Sequence, residues 1–324
     1  MSRVAWLAIL AFWICVPLGG VLVRALRDAG IGKRIRSDGP DHQAKAGTPT
    51  MGGLLFVVAC VLSGLVMLIL GRAQALWPAL AVLAFGILGA FDDLRGLRDV
   101  EGVGWLARFK FPWQWAVALA ISGGMFLAGA MPALWVPWGD RTLELGAWMV
   151  PLGAFLMVGM VNAINITDGL DGLSAGCGAL VAFLMTILLS TGGHPELAAW
   201  SAVLTGALLA FLWHNAHPAR VFMGDVGAEG LGAALAVLAL ASGNVLLLLV
   251  ASLAILAGPG SVTLQVAWFK YTRRRYGQGR RIFRIAPLHH HFERLGLNEV
   301  QITVRYWIVT AAACLAALAL WGAI

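Results

Sequence analysis

A chain of 324 residues that is 60 % hydrophobic and only 12 % charged, with a mean hydropathy of +0.83, cannot hide its apolar side chains inside a soluble globule of that size. The composition excludes a soluble fold and points to a bilayer. A formal net charge of +7 goes with four cysteines that lack CxxC or Cys/His spacing. They imply neither a disulfide framework nor a zinc site, and Cys15, Cys60, Cys177 and Cys314 are read as apolar packing residues.

Apolar runs near the about 20 residues needed to cross hydrocarbon lie at about 4–26, 51–70, 74–91, 113–130, 146–164, 173–190, 197–213, 228–241, 243–269 and 302–323. They predict an all-α polytopic membrane protein of about ten transmembrane helices, with residues 1–324 as one domain. Residues 4–26 are too long for a cleavable signal core and lack a small-residue cleavage site, so they read as a retained span. The stretches 27–50, 92–112 and 270–301 are too short to enclose cores of their own. Gly258-Pro259-Gly260 interrupts the ninth run; a residue without an N–H between two glycines predicts a bent ninth helix there.

Lys and Arg sort by side. Twenty fall on the face bearing the loops after spans 1, 3, 5, 7 and 9, against Arg3, Arg72 and Arg141 on the other. The first face is therefore expected to be cytoplasmic, with both termini periplasmic. Thirteen of the sixteen acids share that face, all but Asp140, Glu144 and Glu196. Its net charge of +7 would draw anionic lipid head groups or an anionic soluble substrate.

Four constellations lie on the basic face. Asp92 and Asp93 end the third span; neighbours on a helix diverge by about 100°, which suggests separate roles as base and positioner. Asn162, Asn165, Asp168 and Asp171 follow in one ten-residue stretch, beside Gly169 and Gly172. Thr167 or Asp168 capping the sixth span would explain the acids, but not the amides, which suit the donor and acceptor edges of a base or sugar. Phe222-Met223-Gly224-Asp225 presents an aromatic for stacking beside a carboxylate, and scattered single carboxylates suit Mg²⁺ better than Zn²⁺. His289, His290 and His291 cannot all face one ion from a helix, so they are expected to donate to phosphate or sugar oxygens.

Taken together, Lys45-Ala-Gly-Thr-Pro-Thr50-Met-Gly-Gly, Phe91-Asp-Asp, the stretch from Asn162 to Gly172, Phe222-Met-Gly-Asp225 and Pro287-Leu-His-His-His291-Phe-Glu resemble the phospho-N-acetylmuramoyl-pentapeptide transferase family. The likeness runs from about residue 30 to 305, and its Thr-Pro-Thr-Met-Gly-Gly string and histidine triplet are the specific parts. The wider superfamily of polyprenyl-phosphate hexosamine-1-phosphate transferases shares the acid loops.

The resemblance implies Mg²⁺-dependent transfer of phospho-N-acetylmuramoyl-pentapeptide from its UDP carrier to undecaprenyl phosphate. Lipid I and UMP would form at the cytoplasmic face of the bacterial inner membrane, in peptidoglycan synthesis. Asp92, Asp93 and Asp225 would be catalytic, Asp92 activating the lipid phosphate and Asp225 binding the metal. Lys45, Thr50, Asn162, Asn165, Asp168, Asp171 and Phe222 would hold uridine and diphosphate, with Asn215 also a binding residue, and His289, His290 and His291 would contact sugar or phosphate. Membrane lipid is a partner, a homodimer is compatible with this reading, and nucleic acid is not expected. The sequence departs from the family pattern at Gly96, Val100 and Val103, where lysines are common, at Ala228 and Glu229, and at Gly258-Pro259-Gly260, where an acid is usual. The rival readings are a transferase using a UDP-N-acetylhexosamine without peptide, and a secondary transporter, motivated by the broken ninth helix.

Overall fold

The computed structural model describes residues 2–32, 45, 47–99, 104–137 and 141–322. Lys33, Arg34, Arg36, Asp38, Asp41, Val100, Glu101, Val103 and Asp140, which enter the charge sorting or the departures above, lie outside the described residues. Twelve α-helices are seen among the described residues: α1 (Ser2–Asp28), α2 (Leu54–Ile69), α3 (Leu76–Arg98), α4 (Ala107–Leu127), α5 (Met149–Thr167), α6 (Leu173–Thr191), α7 (Pro195–Asn215), α8 (Gly224–Ser242), α9 (Val245–Ala251), α10 (Leu253–Tyr276), α11 (Leu288–Arg294) and α12 (Glu299–Gly322). Seven of these, α1, α3, α5, α6, α7, α8 and α12, are long and apolar enough to cross a membrane, and the α9–α10 pair makes up to eight. The apolar α2 has only 16 residues, and α4 is not among the seven. Large side chains left exposed, such as Trp6, Trp13, Ile69, Phe155 and Trp213, form the kind of outer surface that lipid rather than water solvates.

The bundle is built around α8, buried from Val226 to Leu240 because its sequence is small and apolar all round. Helices α3, α5, α6 and α2 pack on it, α1 lies against α7, and α12 covers α6 and α9. Small residues let backbones come close, the usual basis of helix association in lipid. A Cβ on Gly89 would lie 2.2 Å from the Asp225 carbonyl oxygen, so α3 can meet the start of α8 only through glycine. A short antiparallel pair, β1 (Leu134–Val136) and β2 (Arg141–Leu143), lies against the C-terminal end of α8, where Trp135 N donates to Gly243 O at 3.0 Å.

The bend in the ninth span is not where the sequence suggests. It lies at Ser252, where α9 and α10 meet at 77°, and α10 runs on through Pro259. Pro259 cannot donate to the Ile255 carbonyl. Thr167 Oγ1, 2.7 Å from Ala163 O in its own helix, also lies 3.2 Å from the Ile255 oxygen and can turn its one hydrogen to either, beside Gly258, where a Cβ would touch the same hydroxyl. A hydroxyl from α5 thus offers a shared donor where Pro259 removes the helical one.

Candidate active site

The ends of α1, α3, α5 and α7 and the starts of α2, α4, α6 and α8 all meet at one end of the bundle, where the predicted site residues gather. The Thr48-Pro-Thr-Met-Gly-Gly string runs beside the Phe222 loop: Phe222 N donates to Pro49 O at 2.8 Å, Gly52 N to Phe222 O at 2.8 Å and Gly53 N to Met223 O at 2.9 Å. A Cβ on Gly52 would come within 2.9 Å of Phe222 O, which accounts for glycine there.

Asp92 and Asp93 diverge as their helical spacing requires. Asp93 accepts the N–H groups of Asp225 at 3.1 Å and Val226 at 3.0 Å, capping α8 with a carboxylate where the helix dipole favours one. Asp92 turns to Lys110, whose Nζ is 2.5 Å from its Oδ2, and accepts the Trp105 N–H on its other oxygen. The same ammonium pairs with Asp225 and lies 2.6 Å from Glu229. Asn165 hydrogen-bonds Asp225. Four helices, α3, α4, α5 and α8, therefore converge on one lysine and three carboxylates.

A second cluster holds Lys45, whose Nζ is 2.7 Å from Asp171 and 2.5 Å from Glu299. Asp171 also accepts the Ala219 N–H at 3.0 Å and lies 3.1 Å from His217 Nδ1. Burial works against this carboxylate, yet Lys45, the Ala219 N–H and His217 outweigh it and hold the acid below its usual range. Ser174 donates to Asp168 and lies 3.9 Å from the Met223 sulfur, two residues before Asp225. The residue that precedes α6 as its N-cap is Gly172, at a left-handed φ of 73°, and it makes no side-chain capping bond; the cap position is not Thr167 or Asp168.

Other predicted residues are more committed to the protein itself. Asn162 donates to Gln114 at 2.9 Å and to its own helix at Val158 O. Asn215 accepts from Gly172 N and donates to Val221 O. Thr50 is buried and its N–H bonds Ile31 O at 3.0 Å. Phe222 is half-buried. The three histidines point three ways: His290 meets Glu293 at 2.5 Å, His291 accepts the Arg284 N–H at 3.1 Å, and His289 is fully buried against Gly169. Both His289 ring nitrogens lack a hydrogen-bond partner among the described residues. Burial, reinforced by the adjoining His290, pushes its imidazole down to about 3, leaving it neutral at physiological pH.

Two groups among the described residues could hold a metal ion: Asp92, Asp225 and Glu229, and Asp171, His217 and Glu299. In each, the ligand atoms lie within 4.8 Å of one another. The first is all oxygen with an ammonium already seated among its carboxylates, so the position accepts positive charge, and its donors suit a hard divalent ion. Lys110, Gln114, Glu229, His217 and Glu299 are site members that motif reading passes over. Two had a visible signal: Lys110 is the only lysine between Lys45 and Lys270, and Glu229 follows Asp225 by one helical turn in an otherwise apolar run. His217 and Glu299 carried none.

A polytopic helical protein with acids and lysines gathered at one end of its spans is built for chemistry on a charged substrate at the lipid border. Residues 75–243 match glycosyl transferase family 4, and residues 45–57 match the phospho-N-acetylmuramoyl-pentapeptide-transferase signature 1. The chain is 40 % identical over 332 residues to the phospho-N-acetylmuramoyl-pentapeptide-transferase of Chloroflexus aurantiacus (strain ATCC 29366 / DSM 635 / J-10-fl), covering 99 % of this chain and 90 % of the relative. It is 44 % identical over 305 residues to that of Synechococcus sp. (strain RCC307), covering 91 % and 82 %. With the Clostridioides difficile (strain 630) protein of the same name it shares 34 % over 313 residues, covering 96 % and 95 %. The chain is a membrane transferase. It belongs to the phospho-N-acetylmuramoyl-pentapeptide-transferase family.

Proposed function

We propose that the protein transfers phospho-N-acetylmuramoyl-pentapeptide from its UDP carrier to undecaprenyl phosphate, with UMP as the leaving group. The observation that carries this reading is the meeting of Asp92, Asp225 and Lys110 at the end of the bundle where the family's specific string also packs. The 20-to-3 sorting of Lys and Arg supports a cytoplasmic site in the inner membrane and periplasmic termini. Ten crossings follow if α2 and α4 also span, which their position between helices that end at the site favours.

Phosphoryl transfer asks of a protein mainly alignment and charge neutralisation. Asp92, paired with Lys110, takes the proton of the lipid phosphate as that phosphate's oxygen attacks the sugar-bound phosphorus. The bond to UMP breaks in line, and UMP leaves with the electron pair. Asp93 holds the start of α8 and so aims Asp225, which Asn165 orients from α5. Lys45, Asp171, Glu299 and His217 border the nucleotide side, with Phe222 placed to stack on the base. Half-buried His290 and His291 would contact sugar or phosphate, whereas His289 is enclosed against Gly169. Asp225 and Asp92 would hold Mg²⁺, which when bound would neutralise diphosphate charge.

The test is UMP release with polyprenyl phosphate and Mg²⁺, offering UDP-N-acetylmuramoyl-pentapeptide or UDP-N-acetylglucosamine. Release from the peptide-bearing nucleotide alone supports the reading. Release from the hexosamine nucleotide alone assigns the chain the shorter substrate, and uptake into sealed vesicles without UMP assigns it transport. A phosphosugar trapped covalently on Asp225 in the absence of acceptor would overturn the single displacement.

A further inference from the structure

Glu229 has no part in the chemistry read from the motifs, yet it is the most deeply enclosed acid of the site, 0 % exposed and 2.6 Å from Lys110 Nζ. It stands one turn after Asp225, so both carboxylates share a face of α8 and reach the same ammonium from two depths. A carboxylate inside a span is costly unless paired, and Lys110 is its only ion-pair partner among the described residues. Lys110 in turn faces three acids, although one would neutralise it. A second layer supports the arrangement: Gln114, one turn after Lys110 on α4, adjoins the Glu229 carboxylate and accepts from Asn162 at 2.9 Å. Phosphoryl transfer by itself requires none of this.

The excess acid makes sense if two cations share the pocket. A divalent ion on Asp92 and Asp225 would take two of the three partners from the ammonium and repel it at short range. The three acids that face the ammonium, Asp92, Asp225 and Glu229, carry three negative charges when ionised, matching one ammonium plus one divalent ion. Without Glu229 the same two cations would leave one positive charge unbalanced among the acids that hold them. We infer that Glu229 is a positioning residue that keeps the Lys110 ammonium in the carboxylate centre while a divalent cation occupies Asp92 and Asp225, so that both charges act on the diphosphate together. The inference rests on the reading of Asp92 and Asp225 as a metal centre.

Lysine acylation followed by peptide mass spectrometry reads Lys110 against exposed Lys270 in the detergent-purified full chain, while EPR follows Mn²⁺ uptake in the same samples. In the wild type Lys110 stays protected with and without saturating Mn²⁺. In Glu229→Gln it is protected in chelator, where Asp92 and Asp225 hold it, and its labelling rises roughly tenfold on Mn²⁺ addition, equivalent to about 1.4 kcal/mol of lost pairing. Glu229→Met, an apolar replacement of similar length in a buried helix, gives the same rise, and Glu229→Asp restores protection. Equal Lys110 labelling in wild type and both neutral variants at saturating Mn²⁺ overturns the inference, as does loss of protection in the wild type. Failure of the wild type to take up Mn²⁺ overturns the metal-centre reading, and the inference with it.

Discussion

Asp93 and Asp92 hold different things, so their amide variants should separate aim from chemistry. Asp93 accepts two N–H groups at the start of α8, at 3.1 and 3.0 Å. Asn keeps one acceptor oxygen and turns an NH₂ towards the other donor, so one charge-assisted bond is lost and a donor meets a donor. At about 1.5–3 kcal/mol for a bond to a charged group, Asp93→Asn should slow turnover about ten- to 150-fold and lower the thermal unfolding midpoint in detergent alongside it. Asp92→Asn removes a proton acceptor that faces Lys110 rather than a helix end. It should cost roughly 10²–10⁴ in rate and, because Lys110 keeps Asp225 and Glu229 as partners, lower the midpoint less than Asp93→Asn. The assay is UMP release at saturating nucleotide, lipid and Mg²⁺, paired with an unfolding trace on the same preparation. An Asp93→Asn protein as inactive as Asp92→Asn but fully stable would refute this division of labour.

Three further outcomes follow from the packing. Gly89→Ala sets a methyl 2.2 Å from the Asp225 carbonyl oxygen; overpacking of this kind costs about 1–3 kcal/mol or more and should appear as reduced yield and a lower midpoint, and an unchanged midpoint would show that α3 and α8 can part. Thr167→Val removes the one hydroxyl hydrogen shared by the Ala163 and Ile255 carbonyls, the latter without its helical donor; an unsatisfied group costs about 1–3 kcal/mol, whereas Thr167→Ser should behave as wild type in the same unfolding measurement. His289 titrates at about 3 in the folded chain against 6.5 for an ordinary histidine, so the unfolded chain binds a proton first. This contribution to stability is complete above about pH 6.5 and is lost as pH falls from there towards 3. The unfolding midpoint should therefore drop between pH 7.5 and 5, and His289→Gln should flatten the drop; parallel curves would contradict the burial argument.

What was legible in the sequence is what the bilayer imposes locally. Hydrocarbon demands long apolar helices, and a carboxylate at the edge of one, such as Asp92 or Asp225, stands out against its neighbours. The divergence of Asp92 and Asp93 needed only the helical repeat. The bend lies away from Pro259 because the Ile255 carbonyl meets a hydroxyl 88 residues earlier in the chain, and no local rule reports a donor from another helix. Lys45 and Glu299 are 254 residues apart, and His217 joins them only through the fold. Asn162 and Asn215 look like ligand amides in the sequence, yet their bonds to Gln114, Gly172 and Val221 become visible only once the helices are packed. Glu229 stands out in the sequence as a departure from a pattern, and a departure does not announce that its partner is Lys110.

The Asp92–Asp225 end of the bundle, and not the neighbouring acids, is proposed as the metal and phosphate centre. Anomalous diffraction from crystals grown with Mn²⁺ and the UDP-linked nucleotide locates the ion directly. A peak in contact with Asp225 and Asp92, with Lys110 still beside Glu229, is the expected result. A peak held by Asp171, His217 and Glu299, with none at Asp225, would contradict the account.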